Sequence, residues 1–155
     1  MIIKRIDLET QREILIQFRK DSFAVSFGST QEFGDEEDYL KWVAAKSLQF
    51  PDGFMVVMED ERPIGQLELT LTVYEERSIG YVNLYYLIPD KRGLGLGKTL
   101  HEYALNFFIE NGVKEYHLRV SPSNLPALSF YRNAGMEEIG LELGGKVIRM
   151  RGFLA

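Results

Sequence analysis

From residue 65 to residue 73 the chain alternates without a break. Leu67, Leu69, Leu71 and Val73 fall on one side, and Gln66, Glu68, Thr70 and Thr72 on the other. A period of two predicts a strand with one apolar and one polar face. The next run, Ser78–Ile88, places Tyr81, Asn83, Tyr85 and Leu87 on one side and Val82, Leu84, Tyr86 and Ile88 on the other. Both sides are largely apolar, which predicts a central strand covered on two faces. Shorter strand patterns occupy Met1–Asp7, Phe54–Met58 and Glu115–Val120. Two more, Met136–Leu143 and Val147–Phe153, flank a hairpin turn at Gly144-Gly145.

Helical spacing fills the intervals. Ile14, Leu15 and Phe18 form an apolar stripe in a helix expected from Glu9 to about Phe23. Phe23–Gly34, with Phe23, Phe27 and Phe33 among small polar residues, predicts a loop. Asp35–Asp38 opens a second helix with acidic residues that complement its dipole, and Pro51-Asp52-Gly53 stops it. A third is expected over Lys98–Asn111, closed by Gly112, and a short fourth over Leu125–Asn133, capped by Ser123 or Asn124. The order is β-α-α-β-β-β-α-β-α-β-β. A strand–helix–strand crossover demands one parallel pair in an otherwise mostly antiparallel sheet. The expectation is a single α/β (α+β) domain over residues 1–155, with about seven strands and four helices.

Composition narrows the chemistry. A chain of 155 residues with 45% hydrophobic content suits one domain with a sizeable core. No apolar run approaches the roughly 20 residues of a membrane span, and no secretory signal opens the sequence. There is no cysteine, which removes disulfides, thiolate metal sites and a cysteine acyl-enzyme. These features lead us to expect a cytoplasmic protein without a membrane partner. His101 and His117 are expected to be surface or half-buried structural residues, and no metal is expected. A net charge of −5 without a basic stripe argues against nucleic-acid binding, yet leaves room for a local basic pocket of Lys91, Arg92 and Lys98.

The stretch with the most chemical information follows the central strand: Pro89-Asp90-Lys91-Arg92-Gly93-Leu94-Gly95-Leu96-Gly97-Lys98-Thr99. Glycines at the mouth of a helix expose backbone N–H groups that can hold phosphate oxygens. The Walker pattern fails, because the position that would need glycine is Arg92. The dinucleotide pattern fails too, because its last glycine would fall on Lys98 or Leu100. What fits is Arg/Gln-x-x-Gly-x-Gly/Ala, and Arg92–Gly97 resembles the coenzyme A pyrophosphate loop of the GNAT-type N-acetyltransferases. The element order over the whole chain resembles the same family. So does a second motif, Asn124 followed by Phe130-Tyr131-Arg132 and Gly135-Met136, where Met136 replaces the usual Phe.

The resemblance implies acetyl-CoA as acyl donor, with a V-shaped gap between the fourth and fifth strands. Backbone amides of Arg92, Gly93, Leu94, Gly95, Leu96, Gly97 and Lys98 would hold the pyrophosphate. The backbone of Leu87 and Ile88 would pair with the pantetheine arm, Leu87 N–H meeting the thioester carbonyl as an oxyanion contact. Asn124 would bond the donor arm, and Tyr131 would supply a proton to the departing thiolate.

With no cysteine, direct transfer in a ternary complex is the simplest route. The acceptor poses the opposite problem. An alkylamine of pKa near ~10.4 is only about one part in a few thousand neutral at pH 7, so a base helps. Glu68 is the first candidate, with Tyr81, Asn83 and Tyr85 as cleft or water-relay residues. Arg19, Phe27, Phe33 and Trp42 are candidate wall residues, and Glu32 with Asp35–Asp38 can attract a cationic amine. The expected function is acetyl transfer to a primary amine of a small molecule. Protein acetylation at Lys or an N-terminus, and acyl-CoA sensing without turnover, are the alternatives. A homodimer through the last strands is also compatible with the resemblance.

Overall fold

The computed structural model describes residues 1–27 and 34–154, the side chain of Phe27 apart. Seven strands form one sheet: β1 (Ile2–Arg5), β2 (Phe54–Glu59), β3 (Arg62–Tyr74), β4 (Arg77–Leu87), β5 (Glu115–Val120), β6 (Glu137–Glu142) and β7 (Val147–Phe153). Four helices cover it: α1 (Arg12–Phe27), α2 (Glu36–Gln49), α3 (Leu96–Glu110) and α4 (Leu125–Asn133). The strand order is β1-β2-β3-β4-β5-β7-β6, so β4 sits at the centre, as its two apolar faces predict. β4 and β5 are parallel and every other neighbouring pair is antiparallel.

On one face, Leu67, Leu69, Val82, Leu118 and Val120 pack against Leu100, Ala104, Phe107 and Phe108 of α3 and Leu128 of α4. On the other face, Phe18 of α1 lies on Tyr86 with ring centroids 4.7 Å apart, beside Leu84. The polar side of β3 is therefore not solvated: Gln66 and Glu68 are fully buried and Thr70 nearly so.

Three departures from the periodicity bear on function. First, Glu68 pairs with Leu84 and Leu69 with Val82, leaving Asn83 as an extra residue in β4. A bulge shifts alternation by one position. Tyr81 thus pairs with His117 on the α1 side, while Tyr85 meets His101 of α3 on the opposite side. The expected common face for Tyr81, Asn83 and Tyr85 is broken at Asn83. Second, α1 continues four residues past Phe23, although Val25 and Ser26 are modest helix formers. Of the loop expected over Phe23–Gly34, residues 28–33 lie outside the described residues. Third, α3 starts at Leu96, two residues before the expected Lys98, with Gly95 as its N-cap in the left-handed region at φ +82°.

α3 packs closely onto the start of β4 because Gly80 has no side chain. A Cβ there would lie 2.4 Å from a ring carbon of the fully buried Phe108. Gly80→Ala is expected to cost about 1–3 kcal/mol through overpacking, lowering Tm by roughly 3–10 °C. Calorimetric unfolding checks this; an unchanged Tm would show that Phe108 yields freely.

Candidate active site

The parallel pairing of β4 and β5 lasts three residues: Gly80 with Tyr116, Tyr81 with His117 and Val82 with Leu118. Beyond it the strands separate and a cleft of about 940 Å³ opens between them. Antiparallel pairing with β3 fixes which backbone groups face it. Ile88 N–H donates to Ile64 O at 2.9 Å. Successive residues of a strand point their backbone groups to opposite sides. Leu87 and Tyr85 therefore turn their N–H groups away from β3 and toward the opening. The pairing expected of Leu87 is geometrically available. That expected of the Ile88 N–H is not, because the sheet already uses it.

The glycine turn closes one end of the cleft. Gly93 and Gly95 have φ of +74° and +82°, with no atom within 4 Å of where a Cβ would stand. The N–H groups of Gly95, Leu96, Gly97 and Lys98 open α3 and have no intrahelical acceptor, and the helix dipole adds partial positive charge. This donor set fits a pyrophosphate. The basic pocket expected around it is smaller than the sequence suggests. Lys91 pairs with Glu59. Arg92 donates to Leu87 O at 2.8 Å and to Asp21 at 2.8 Å, with its guanidinium 5.5 Å from the Tyr86 ring centre. Tyr86 also donates to Asp21, at 2.6 Å. Arg92 thus fastens the turn to α1, and among the described residues Lys98 alone of the three makes no ion pair.

Tyr131 and Asn124 reach the cleft from α4, beside Phe130. Asn124 caps α4 by accepting from Ala127 N–H at 3.4 Å, which leaves its amide nitrogen free to donate. Burial holds the Tyr131 phenol above its ordinary pKa, so it is protonated at neutral pH. Its hydroxyl makes no hydrogen bond among the described residues, and its ring stands 6.4 Å from that of Tyr85. Beneath them His101 bridges Tyr85 and Tyr116 at 3.1 and 3.2 Å. A neutral imidazole has one donor and one acceptor, so this string ties β4, α3 and β5 together below the opening. Burial lowers the His101 pKa and keeps it neutral.

Both histidines are buried, against expectation: His101 is 7% exposed and His117 is 0%. His117 lies between Glu115 at 2.6 Å and Arg149 at 2.8 Å. The guanidinium can only donate, so His117 Nδ1 accepts and Nε2–H donates to Glu115. Glu115 also accepts two bonds from Arg77, which hold its pKa down at about 2.

Glu68 does not line the cleft. Its carboxylate accepts from the Tyr39 hydroxyl at 2.5 Å and from Gln66 at 3.0 Å, and Arg19 lies 3.8 Å away on the cleft side. Burial raises its pKa against the pull of Arg19. Arg19 itself lines the cleft, donates to Asn83 O at 3.2 Å and sits over the Phe23 ring. Trp42 packs edge-on against Phe54 instead of lining the cleft. Phe27's side chain, Glu32 and Phe33 lie outside what the structure describes. Asp35 caps α2, while Glu36 and Glu37 pair with Lys20 and Arg12 of α1. The acidic cluster thus joins two helices.

Comparison with known proteins identifies the family and the fold. Residues 15–136 match the family described as "Acetyltransferase (GNAT) family". The chain belongs to that family. A relative named as an uncharacterized N-acetyltransferase from Archaeoglobus fulgidus is 29% identical over 100 residues, which are 63% of this chain and 66% of the relative. The match therefore spans just under two thirds of that relative's length. A ribosomal-protein-alanine N-acetyltransferase from Brucella melitensis superposes with a TM-score of 0.77 at 20% identity, covering 99% of this chain and 100% of its own. A PaiA N-acetyltransferase from Thermoplasma acidophilum, solved in complex with coenzyme A, gives 0.72 at 21% identity, with 98% of each chain covered. These two likenesses establish the fold.

Arg119 went unnoticed in the sequence, although Glu115, His117 and Arg119 alternate along β5 as a polar stripe. It lines the cleft together with Leu143 and Val147 from the β6–β7 hairpin. Gly97 also lines the cleft, and a Cβ there would meet only the Phe130 ring, at an ordinary 3.6 Å. Gly97→Ala is therefore expected to keep or slightly raise Tm, since alanine favours helix by up to about 1 kcal/mol. If this turn holds the pyrophosphate of acetyl-CoA, the alanine methyl would crowd that group, and acetyl-CoA affinity should fall roughly tenfold or more, a loss of about 1.4 kcal/mol. Calorimetric titration beside a melting curve separates the two effects; undiminished affinity would move the pyrophosphate off this turn.

Proposed function

We propose that the protein transfers an acetyl group from acetyl-CoA directly to the primary amine of a small molecule. The observation that carries this reading is the gap between β4 and β5. It presents the Leu87 N–H, a helix N-terminus and the Tyr131 hydroxyl to one continuous cleft. Family membership and the coenzyme A bound by the Thermoplasma acidophilum neighbour support the donor assignment.

Transfer forms a C–N bond and breaks a C–S bond, and one proton passes from nitrogen to sulfur. Leu87 N–H is aimed to stabilise the oxyanion between these events. Tyr131 handles the proton. Its phenol is held above the ordinary value of ~10, well over the roughly 8.5 of a thiol, so it does not surrender a proton to the thiolate outright. It donates a hydrogen bond as charge grows on sulfur, and gives up its proton only as the amine replaces it. The incoming ammonium loses its first proton to water at the open end of the cleft, beside Tyr81 and Asn83. Glu68, closed behind Arg19, is assigned to holding Arg19 in place.

Acetylation of a protein N-terminus is the second reading. The named activity of the Brucella melitensis neighbour favours it, although that neighbour shares only 20% identity.

Thiol release from acetyl-CoA, measured across small amines and short peptides, tests the activity and separates the two readings; binding without turnover on any acceptor would point to a sensor. Tyr131→Phe should lower kcat by about 10²–10⁴ with little change in acetyl-CoA affinity. Unaltered turnover would remove Tyr131 from the reaction. Glu68→Gln should keep the shape of the wild-type pH–rate profile, whereas loss of its acidic limb would restore Glu68 as the base.

A further inference from the structure

The cleft passes through the sheet from one face to the other. Gly97, Leu100, Phe130 and Tyr131 line it on the α3/α4 side, where the donor's elements converge. On the α1/α2 side its polar lining includes Arg19, Ser22, Tyr81, Asn83 and Arg119, with Arg92 and Tyr86 both tied to Asp21. No carboxylate lines either side among the described residues, although the chain as a whole carries a net charge of −5. An acidic protein thus turns Arg19 and Arg119, and no described carboxylate, toward this side of the cleft.

These cations are incompletely neutralised. Glu142 is the one carboxylate shared by Arg119, at 2.8 Å, and Arg149, at 2.9 Å. The nearby Glu115 is taken by Arg77 and His117. Arg119 bonds Glu142 through Nε, so the outer edge of its guanidinium is open, and its side chain is 38% exposed. Arg19 faces the fully buried Glu68 at 3.8 Å, too far for a hydrogen bond. Burial raises the pKa of the Tyr81 hydroxyl, against the opposing pull of Arg119, Arg149 and Arg19. A cationic wall repels a simple alkylammonium and attracts an anion, and a guanidinium fork matches a carboxylate or a phosphate.

We propose that the acceptor is an amine bearing an oxyanion group, a carboxylate or phosphate a few bonds from its nitrogen, and that Arg119 with Arg19 binds that group on the α1/α2 side. This deepens the acetyltransferase reading and rests on it. It also reverses the expectation that an acidic surface draws in a cationic amine, since Glu36 and Glu37 are spent on α1.

The test uses matched acceptors: an α-amino acid against its carboxamide, and phosphoethanolamine against ethanolamine. Thiol release and calorimetric titration into the coenzyme A-saturated protein are read in parallel. The anionic member of at least one pair should show a kcat/KM at least tenfold higher and bind more tightly, and the pair that does so identifies the oxyanion. Arg119→Gln should collapse that ratio toward one, mainly by raising KM. Glu142 keeps Arg149 in this variant, and a melting curve confirms folding. Arg19→Gln combined with Glu68→Gln removes both partners of that ion pair together and should reduce the ratio further. Equal kcat/KM within both pairs, or a preference that survives both variants, would overturn the proposal while leaving acetyl transfer intact. No turnover on any acceptor would count against the activity reading. In that case the titrations still decide, since equal binding of charged and neutral partners would overturn the anionic-acceptor proposal.

Discussion

The site depends on two parallel strands that stop pairing after three residues. A parallel pair inside a sheet ordinarily satisfies its backbone groups along its full length, and leaving them unpaired in a covered region is costly. Here β4 is held by β3 on one side while its other edge is released beyond Val82. The bulge at Asn83 bends β4 at the point of release, and Ser121-Pro122 ends β5 soon after. The Leu87 and Tyr85 amides become an unpaired strand edge within the domain. An extended ligand carrying amides of its own is the natural complement to such an edge. The Tyr85–His101–Tyr116 string ties the strands together just below the opening.

The distribution of charge follows from the same opening. Most cations are spent on the chain's own carboxylates: Arg92 on Asp21, Lys91 on Glu59, Arg77 on Glu115, and Arg12 and Lys20 on the start of α2. Several of these pairs are exposed and each adds little stability. Their consequence is positional. Arg92 anchors the glycine turn to α1, so the donors the turn still offers an anion are backbone N–H groups and the helix dipole, which are fixed by the fold. Beside the cleft, Arg119 and Arg149 are two guanidiniums that share one carboxylate, Glu142.

Much of this architecture is legible in the sequence because its signals are local. Alternation marks β3 and β4, glycines at 93, 95 and 97 mark the turn, and Asn124 with Phe130-Tyr131 marks the helix that meets it. What is not legible depends on where elements land. One bulged residue puts Tyr81 and Tyr85 on opposite faces, and no periodicity announces it. The polar side of β3 looks solvated until α1 and α2 cover it, after which Glu68 becomes a buried partner of Tyr39 and Gln66. His117 reads as an isolated histidine because Glu115 is two residues away while Arg149 arrives from β7, thirty-two residues on. Arg119 gains meaning only when β5 stands beside the opening.

The two halves of the cleft are built from different materials, with consequences for what similarity can reveal. The half proposed for the donor is largely backbone: a strand edge, a left-handed glycine and a helix N-terminus. Such groups survive nearly any change of side chain, so solved structures at 20–21% identity can share the whole frame. The acceptor half is side chains on α1, β4, β5 and the β6–β7 hairpin, where one substitution changes charge or width without disturbing the sheet. Fold likeness therefore shows the shared frame but is silent on the acceptor, whatever the neighbours' names. The acceptor has to be read from this chain's own wall, and its chemistry there is set by guanidinium groups that outnumber the carboxylates beside them.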